Sequence, residues 1–212
     1  MRKKIALLLL VVSLGILSAC GKKEIVCKEG EVKIDGVCEI TKSAIDKKLS
    51  DTSHLTNYTL DVSIRIDETV SDVQIKFDNE KSLFKAGHML DYYIKTASEL
   101  KHIYETKDGF KSEVVKSESS QVGAYDFYGK IKESDLTSNG DTYLLNYSSY
   151  DLLEGFRKSV DRNAVITNFI IRFDESYINT IEFDVTVSET VYLFICNFNS
   201  VNQTKVEVPT HV

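Results

Sequence analysis

Four cysteines and four histidines are the residues of this 212-residue chain with the most chemistry available to them, and their spacing limits what that chemistry is. Cys27 and Cys38 bracket "CKEGEVKIDGVC", a thiol pair with no His or further Cys close by, which makes at most half a zinc site. Outside the cytoplasm the same pair is a disulfide candidate, worth roughly 2–3 kcal/mol in the chain-entropy description of so short a loop. Asp35-Gly36 between Ile34 and Val37 signals a type I′ hairpin, and Glu29-Gly30 offers a second turn. If both were regular hairpins, Cys27 and Cys38 would flank one shared strand about 9–10 Å apart, beyond disulfide reach, so one turn must yield if the bridge forms. Cys196, in "VYLFICNF", is in phase with Tyr192, Phe194 and Phe198 and is expected to point into a core as an inert thiol.

His54, His88, His102 and His211 show no ligand spacing and read as surface or edge residues. "DLTSNGD", Asp135 to Asp141, imitates a calcium loop, but Asn146 stands where the bidentate Glu is required, so a polar turn before a strand is expected. The sequence carries no G-x-S-x-G, no H-E-x-x-H and no Gly-rich phosphate loop, and among 32 carboxylates no pair stands out as an acid–base couple. The expectation is a protein that is not an enzyme, with no catalytic residues, no metal site and no cofactor.

The N-terminus carries its own message. Arg2, Lys3 and Lys4 precede an apolar run of thirteen residues, Ile5 to Leu17, which fits a secretory signal and is shorter than the roughly 20 residues of a spanning helix. Its end, Leu17-Ser18-Ala19-Cys20, closely resembles the lipobox of bacterial lipoproteins. That resemblance implies diacylglyceryl transfer to the Cys20 thiol, cleavage before Cys20 and acylation (palmitate among the acyl groups) of the new amino terminus. Two or more acyl chains anchor stably, at about 0.8 kcal/mol per buried methylene. The expected location is the extracytoplasmic side of the cell membrane, held by lipid. The segment behind Cys20 resembles the short Cys…Gly…Cys preamble of many Gram-positive lipoproteins, which looks like a stapled spacer. Expected boundaries are a signal peptide at 1–19, a lipid-anchored tether with a disulfide-stapled hairpin at 20–41, and one β-rich globular domain at 42–212.

Without Arg2, Lys3 and Lys4 the formal charge moves from −6 to near −9, which disfavours nucleic acid as a partner. About 170 residues remain for the domain, enough for one sizeable core. "TKSAIDKKLSD" reads as a short amphipathic helix capped near Ser43, and then the period changes to two. In "YTLDVSIRI", Tyr58, Leu60, Val62, Ile64 and Ile66 share one face, as in a half-buried antiparallel strand. "DVQIKF", "EKSLFKAG", "MLDYYIKT", "KHIYET" and "FKSEVV" follow at short spacing, the last after a turn at Lys107-Asp108-Gly109, and suggest a meander. Ser117 to Ser138 reads as loops over the sheet. "DTYLLNY" is a further strand, and "SSYDLLEGFRKSV" brings Leu152, Leu153 and Phe156 to one face of a helix starting at Ser149. "AVITNFIIRF", "YINTIEFDVTV", "TVYLFICNF" and a short "KVEVP" are expected strands. "NFIIRF" and "VYLFIC" are apolar on both faces, which implies strands covered on both sides.

This element order, with its "IEFDVTV…VEVP" ending, is similar to the LolA-like lipoprotein-carrier fold that LppX-type and many Gram-positive lipoproteins share. The resemblance implies an α+β, mostly antiparallel protein: a curved open sheet, or half-barrel, with helices on its concave face. It also implies a lipid or other hydrophobic ligand in that half-barrel, at residues the sequence does not name. The alternative is a structural or protein-interaction module of the cell envelope with a filled core. Expected partners are the membrane, through the lipid, and either a hydrophobic ligand or an envelope protein.

Overall fold

Alternation of apolar and polar residues from Tyr58 onward builds one antiparallel sheet of eleven strands. The computed structural model describes the backbone of residues 31–34, 37–40, 43–116 and 122–210, and the side chains of the last two stretches. The chain divides into two compact units with the boundary after Ser43. In the first unit, β1 (Glu31–Ile34) pairs with β2 (Val37–Ile40), Ile34 opposite Val37. Only Asp35 and Gly36 separate the strands, the spacing expected of a two-residue hairpin.

The second unit begins with α1 (Ala44–Ser53), which buries Leu49 and Thr52. Six strands then follow as a meander: β3 (Asn57–Ile66), β4 (Thr69–Asp78), β5 (Lys81–Ala86), β6 (Met89–Lys95), β7 (Leu100–Thr106) and β8 (Gly109–Val115). Three short 3₁₀ turns occupy Val122–Tyr125, Tyr128–Lys130 and Glu133–Asp135, leading to β9 (Leu136–Asn139) and β10 (Thr142–Leu145). A 3₁₀ stretch over Tyr147–Leu153 runs into α2 (Glu154–Val160), and β11 (Val165–Phe173), β12 (Ile178–Val187) and β13 (Thr190–Asn199) complete the unit. The order across the sheet is β8-β7-β6-β5-β4-β3-β13-β12-β11-β10-β9. The sheet is open: β8 and β9 end it without meeting.

Register fixes one continuous core face, because a period of two sends every second residue the same way. Across that face Phe84 lies opposite Ile75, Ile75 opposite Leu60, and Leu60 opposite Phe198. One row over, Val62 meets Cys196, Cys196 meets Ile181, and Ile181 meets Ile171. All of these are buried. Thr52 fastens α1 to this face, its hydroxyl accepting the Ile178 N–H at 2.9 Å.

Four expectations change. The helix expected from Ser149 starts instead as 3₁₀ at Tyr147 and becomes α-helical only at Glu154; Leu153 and Phe156 are buried and Leu152 is partly so. The Ser117–Ser138 region, where described, supplies five core side chains, Val122, Tyr125, Phe127, Tyr128 and Ile131, rather than passing over the sheet as plain loop. "KVEVP" is not a strand: the segment is strapped down by side chains, with Asn57 bonding both N–H and C=O of Thr204 at 2.8 Å and Asp78 accepting the Val206 N–H at 3.1 Å.

The strands expected to be covered on both sides are covered on one. Asn168 and Phe169 together oppose the single Phe183, a bulge in which Asn168 takes φ +54°, bonded to Asp184 at 2.6 Å. The bulge shifts the phase, so Ile166, Phe169 and Ile171 all point inward. On the other face Val165 and Val191 are more than half exposed. Leu193 and Ile195 are partly shielded there by polar neighbours, among them Thr180–Asn197 at 3.0 Å, Arg172–Glu182 at 3.1 Å and Asn199–Asp61 at 2.8 Å.

Candidate functional site

Two places on the core face have the geometry of a site. The first lies under α2, where Phe156 enters a nest of rings. Its ring stands edge-on to Tyr125 (5.4 Å), Phe127 (5.7 Å), Phe183 (5.1 Å) and Phe194 (5.4 Å). Register prepares the floor: Phe183 and Phe194 are directly opposite on β12 and β13 and stack at 5.3 Å, and Phe169 stacks on Phe183 from β11. Edge-to-face and offset-stacked rings are the favoured arrangements of aromatic quadrupoles. The space between helix and sheet is therefore occupied by side chains. Beside it, past the end of α2, a groove of about 290 Å³ opens between Ile64, Val160, Asp161, Val187, Tyr192 and Phe194. It is mostly apolar, and one short acyl chain or ring system would fill it.

The second place is on β6, β7 and β8. His102 lies opposite Tyr93 on one side and Glu113 on the other. Its Nε2 is 2.9 Å from Asp91 Oδ1 and its Nδ1 is 3.4 Å from Glu113 Oε1. The ring lies between Tyr93 (4.7 Å, 8° between planes) and Tyr104 (4.9 Å, 31°). A neutral imidazole has one N–H, so both carboxylate contacts are hydrogen bonds at once only in the imidazolium form. With each nitrogen facing a carboxylate, neither is turned to an incoming substrate; the arrangement clips three strands together. His102 is thus an interior-strand residue with its side chain only 18 % exposed, unlike the surface or edge position expected of it.

The other sequence-derived candidates are dispersed. Cys20 and Cys27, with the lipid and disulfide roles expected of them, lie outside the described residues. Cys38 sits in β2 opposite Lys33, and its side chain lies outside them too. Cys196 is buried and free, and burial pushes its thiol up to about 12. His54 is exposed at the end of α1 with Nδ1 2.6 Å from the Ser50 carbonyl, His88 is in an exposed turn, and His211 lies outside the described residues. Asp135 is engaged by protein donors at both oxygens, Oδ2 taking the Lys132 N–H at 2.9 Å and Oδ1 the Ser149 hydroxyl at 2.8 Å. The following residues form the β9–β10 hairpin, so the polar turn, not a calcium loop, is what the structure holds. Among the described residues no three His, Cys, Asp or Glu converge as a metal site, and no helix is long and apolar enough to cross a membrane.

Burial also raises the phenols of Tyr125 and Tyr128 well above their ordinary value, the result of packing them among rings. Glu154 at the start of α2 is held below the usual carboxylate range by hydrogen bonds from Lys158, at 2.9 Å, and Arg157. No protein-family model matches the chain, and no curated protein matches it.

Proposed function

We propose that this chain is a lipid-anchored, extracytoplasmic, non-enzymatic protein that works as an interaction module of the cell envelope. Anchoring rests on the lipobox ending in Cys20, with the tether and its Cys27–Cys38 staple holding the domain away from the membrane. The observation that carries the module reading is the filled space under α2: Phe156 and its four ring neighbours take up the volume a carrier would keep for cargo. The finer fold reading is a LolA-like half-barrel, supported by an open antiparallel sheet with α1 and α2 packed on the same face.

The groove of about 290 Å³ beside Val160 favours a second reading, a carrier of a small hydrophobic ligand. Native mass spectrometry of the full chain, before and after organic extraction, separates the two. Expressed in a bacterial host, the chain is expected to carry a covalent diacylglyceryl mass that Cys20→Ser abolishes, and no extractable lipid. Extractable lipid on the Cys20→Ser chain would establish the carrier instead. An unacylated wild-type chain would remove the anchor from both readings.

A further inference from the structure

We propose that β8 is a self-pairing edge: two copies of this chain join antiparallel along Gly109–Val115 about a two-fold axis through Ser112, giving one continuous sheet. The inference rests on the sheet edge alone and uses neither the lipid anchor nor the filled core. β8 pairs with β7 along its whole length and, among the described residues, with nothing on its outer side. Gly109, Lys111, Ser112, Glu113 and Val114 are exposed, and Val114 is 63 % so. An unpaired edge presents a row of N–H and C=O groups that template a further strand.

The two edges of the sheet are not alike. At the far edge β9 is four residues long and mostly polar, "LTSN", which blunts pairing. β8 has seven residues, no proline, and an unbroken register from Leu100–Val115 to Thr106–Gly109.

Its sequence, "GFKSEVV", is complementary to itself when reversed. With Ser112 opposite Ser112, each Lys111 faces Glu113 of the second copy, and each Phe110 faces Val114. The faces agree as well. Lys111 and Glu113 lie on the core side, where Glu113 is turned toward His102, while Phe110 and Val114 lie on the outer side, where Phe110 meets Tyr92 at 6.0 Å. Opposite charges and aromatic–aliphatic pairs directly across a ladder are the stabilising combinations, and like charges are destabilising. That rule also selects the register. Of the two neighbouring alignments that keep the faces matched, one sets Lys111 against Lys111 and the other Glu113 against Glu113. Glu113 keeps Oε1 near His102, and with 55 % of its side chain exposed its carboxylate can also meet Lys111 of the second copy. The pairing is isologous and closes at two copies, because the other edge of the sheet is of different sequence.

So small a contact falls below the area of a standard stable interface and gives a reversible dimer. Sedimentation equilibrium of the full chain in density-matched detergent, from about 1 to about 200 µM, is expected to show the 24.0 kDa chain passing to twice that mass. Lys111→Glu and Glu113→Lys are each expected to weaken association about tenfold or more, since each sets like charges opposite twice. Mixed in equal amounts, the two variants are expected to associate as tightly as wild type, because every 111–113 contact then joins a Glu to a Lys. A chain damaged in folding would not be rescued by mixing. A wild-type monomer throughout the range, single variants that dimerise as wild type does, or a mixture that stays monomeric would each overturn the proposal.

Discussion

Replacing Phe156 by Ala is the sharpest test of the filled core. Core Phe→Ala changes cost about 3–5 kcal/mol, and the value depends on how far the site collapses. Here collapse is restricted. Phe183 and Phe194 are held at 5.3 Å by strand register and Phe169 stacks behind them, so only Tyr125 and Phe127, on the irregular segment, can move inward. Four edge-to-face contacts vanish with the ring, each worth about 0.5–1.5 kcal/mol beyond area. The expected loss is therefore near the upper end, about 5 kcal/mol, out of the roughly 5–15 kcal/mol typical of a domain. For a unit of this size that lowers Tm by about 10–20 °C. Scanning calorimetry on the full chain measures it, with Phe156→Leu, which loses the same ring contacts but leaves a smaller void, expected to fall between wild type and Phe156→Ala. A dry apolar void left by Phe156→Ala should also take up benzene and recover part of the lost Tm, while wild type shows no gain. A Tm drop under about 5 °C, or equal stabilisation of wild type by benzene, would mean that the space under α2 was never full.

Cys196 is expected to resist thiol reagents in the native chain at pH 8 and to react fully in guanidinium, read by peptide mass mapping. Its thiol ionises near pH 9 unfolded but at about 12 folded, so the folded state keeps a proton the unfolded state loses. Stability should fall by up to about 1.4 kcal/mol per pH unit in that window, and Cys196→Ala should remove this part of the alkaline slope. His102→Leu leaves the buried Asp91 carboxylate without its N–H donor and is expected to cost about 2–3 kcal/mol in urea unfolding. The double change with Asp91→Leu should cost at least about 1 kcal/mol less than the sum; additivity within about 0.5 kcal/mol would dismiss the clip. Ser188 and Glu189 both take positive φ, +47° and +72°, in the exposed two-residue turn between β12 and β13. Ser188→Asn with Glu189→Gly should therefore raise stability by about 1 kcal/mol, seen as a Tm increase.

The strands were legible because each tests one simple rule. A residue pattern such as Tyr58, Leu60, Val62, Ile64 repeats every second position, and two-residue gaps such as Asp67-Glu68 and Asn79-Glu80 leave no room for another element. The pattern fails where the chain departs from a period. At Asn168 a single extra residue moves Phe169 inward, so "NFIIRF" looks apolar on both faces although only one is buried. Val122 to Ile131 obeys neither period, since its 3₁₀ turns drop Tyr125, Phe127 and Tyr128 onto the sheet one by one. The His102 clip left a trace that reading strands singly overlooks. Asp91 shares a face with Tyr93, and His102 with Leu100 and Tyr104, so adjacent meander strands each set a polar side chain in mid-strand on the face meant for the core. Two such residues on neighbouring strands are expected to find one another, because an unpaired buried carboxylate is costly.

That economy of polar groups also bears on where a partner can act. On the core face the aromatic nest is closed and the buried polar groups are answered: Asp91 by His102, and the Ile178 N–H by Thr52. On the outer face, around a hollow of about 460 Å³, Gln74 is bonded to Asp61 and Ser63 to Asp72, both at 2.8 Å. A surface whose donors and acceptors are already matched gives a ligand little to gain beyond exchanging one set of hydrogen bonds for another. An edge strand differs, since its main-chain groups point outward and its cross-strand neighbours are still to be chosen. Of the two edges, β8 is the longer and carries Phe110, Lys111, Glu113 and Val114 in an order that its own reverse satisfies. Among the described residues, that strand has a run of outward main-chain groups with no partner strand, and there a specific partner has bonds to make.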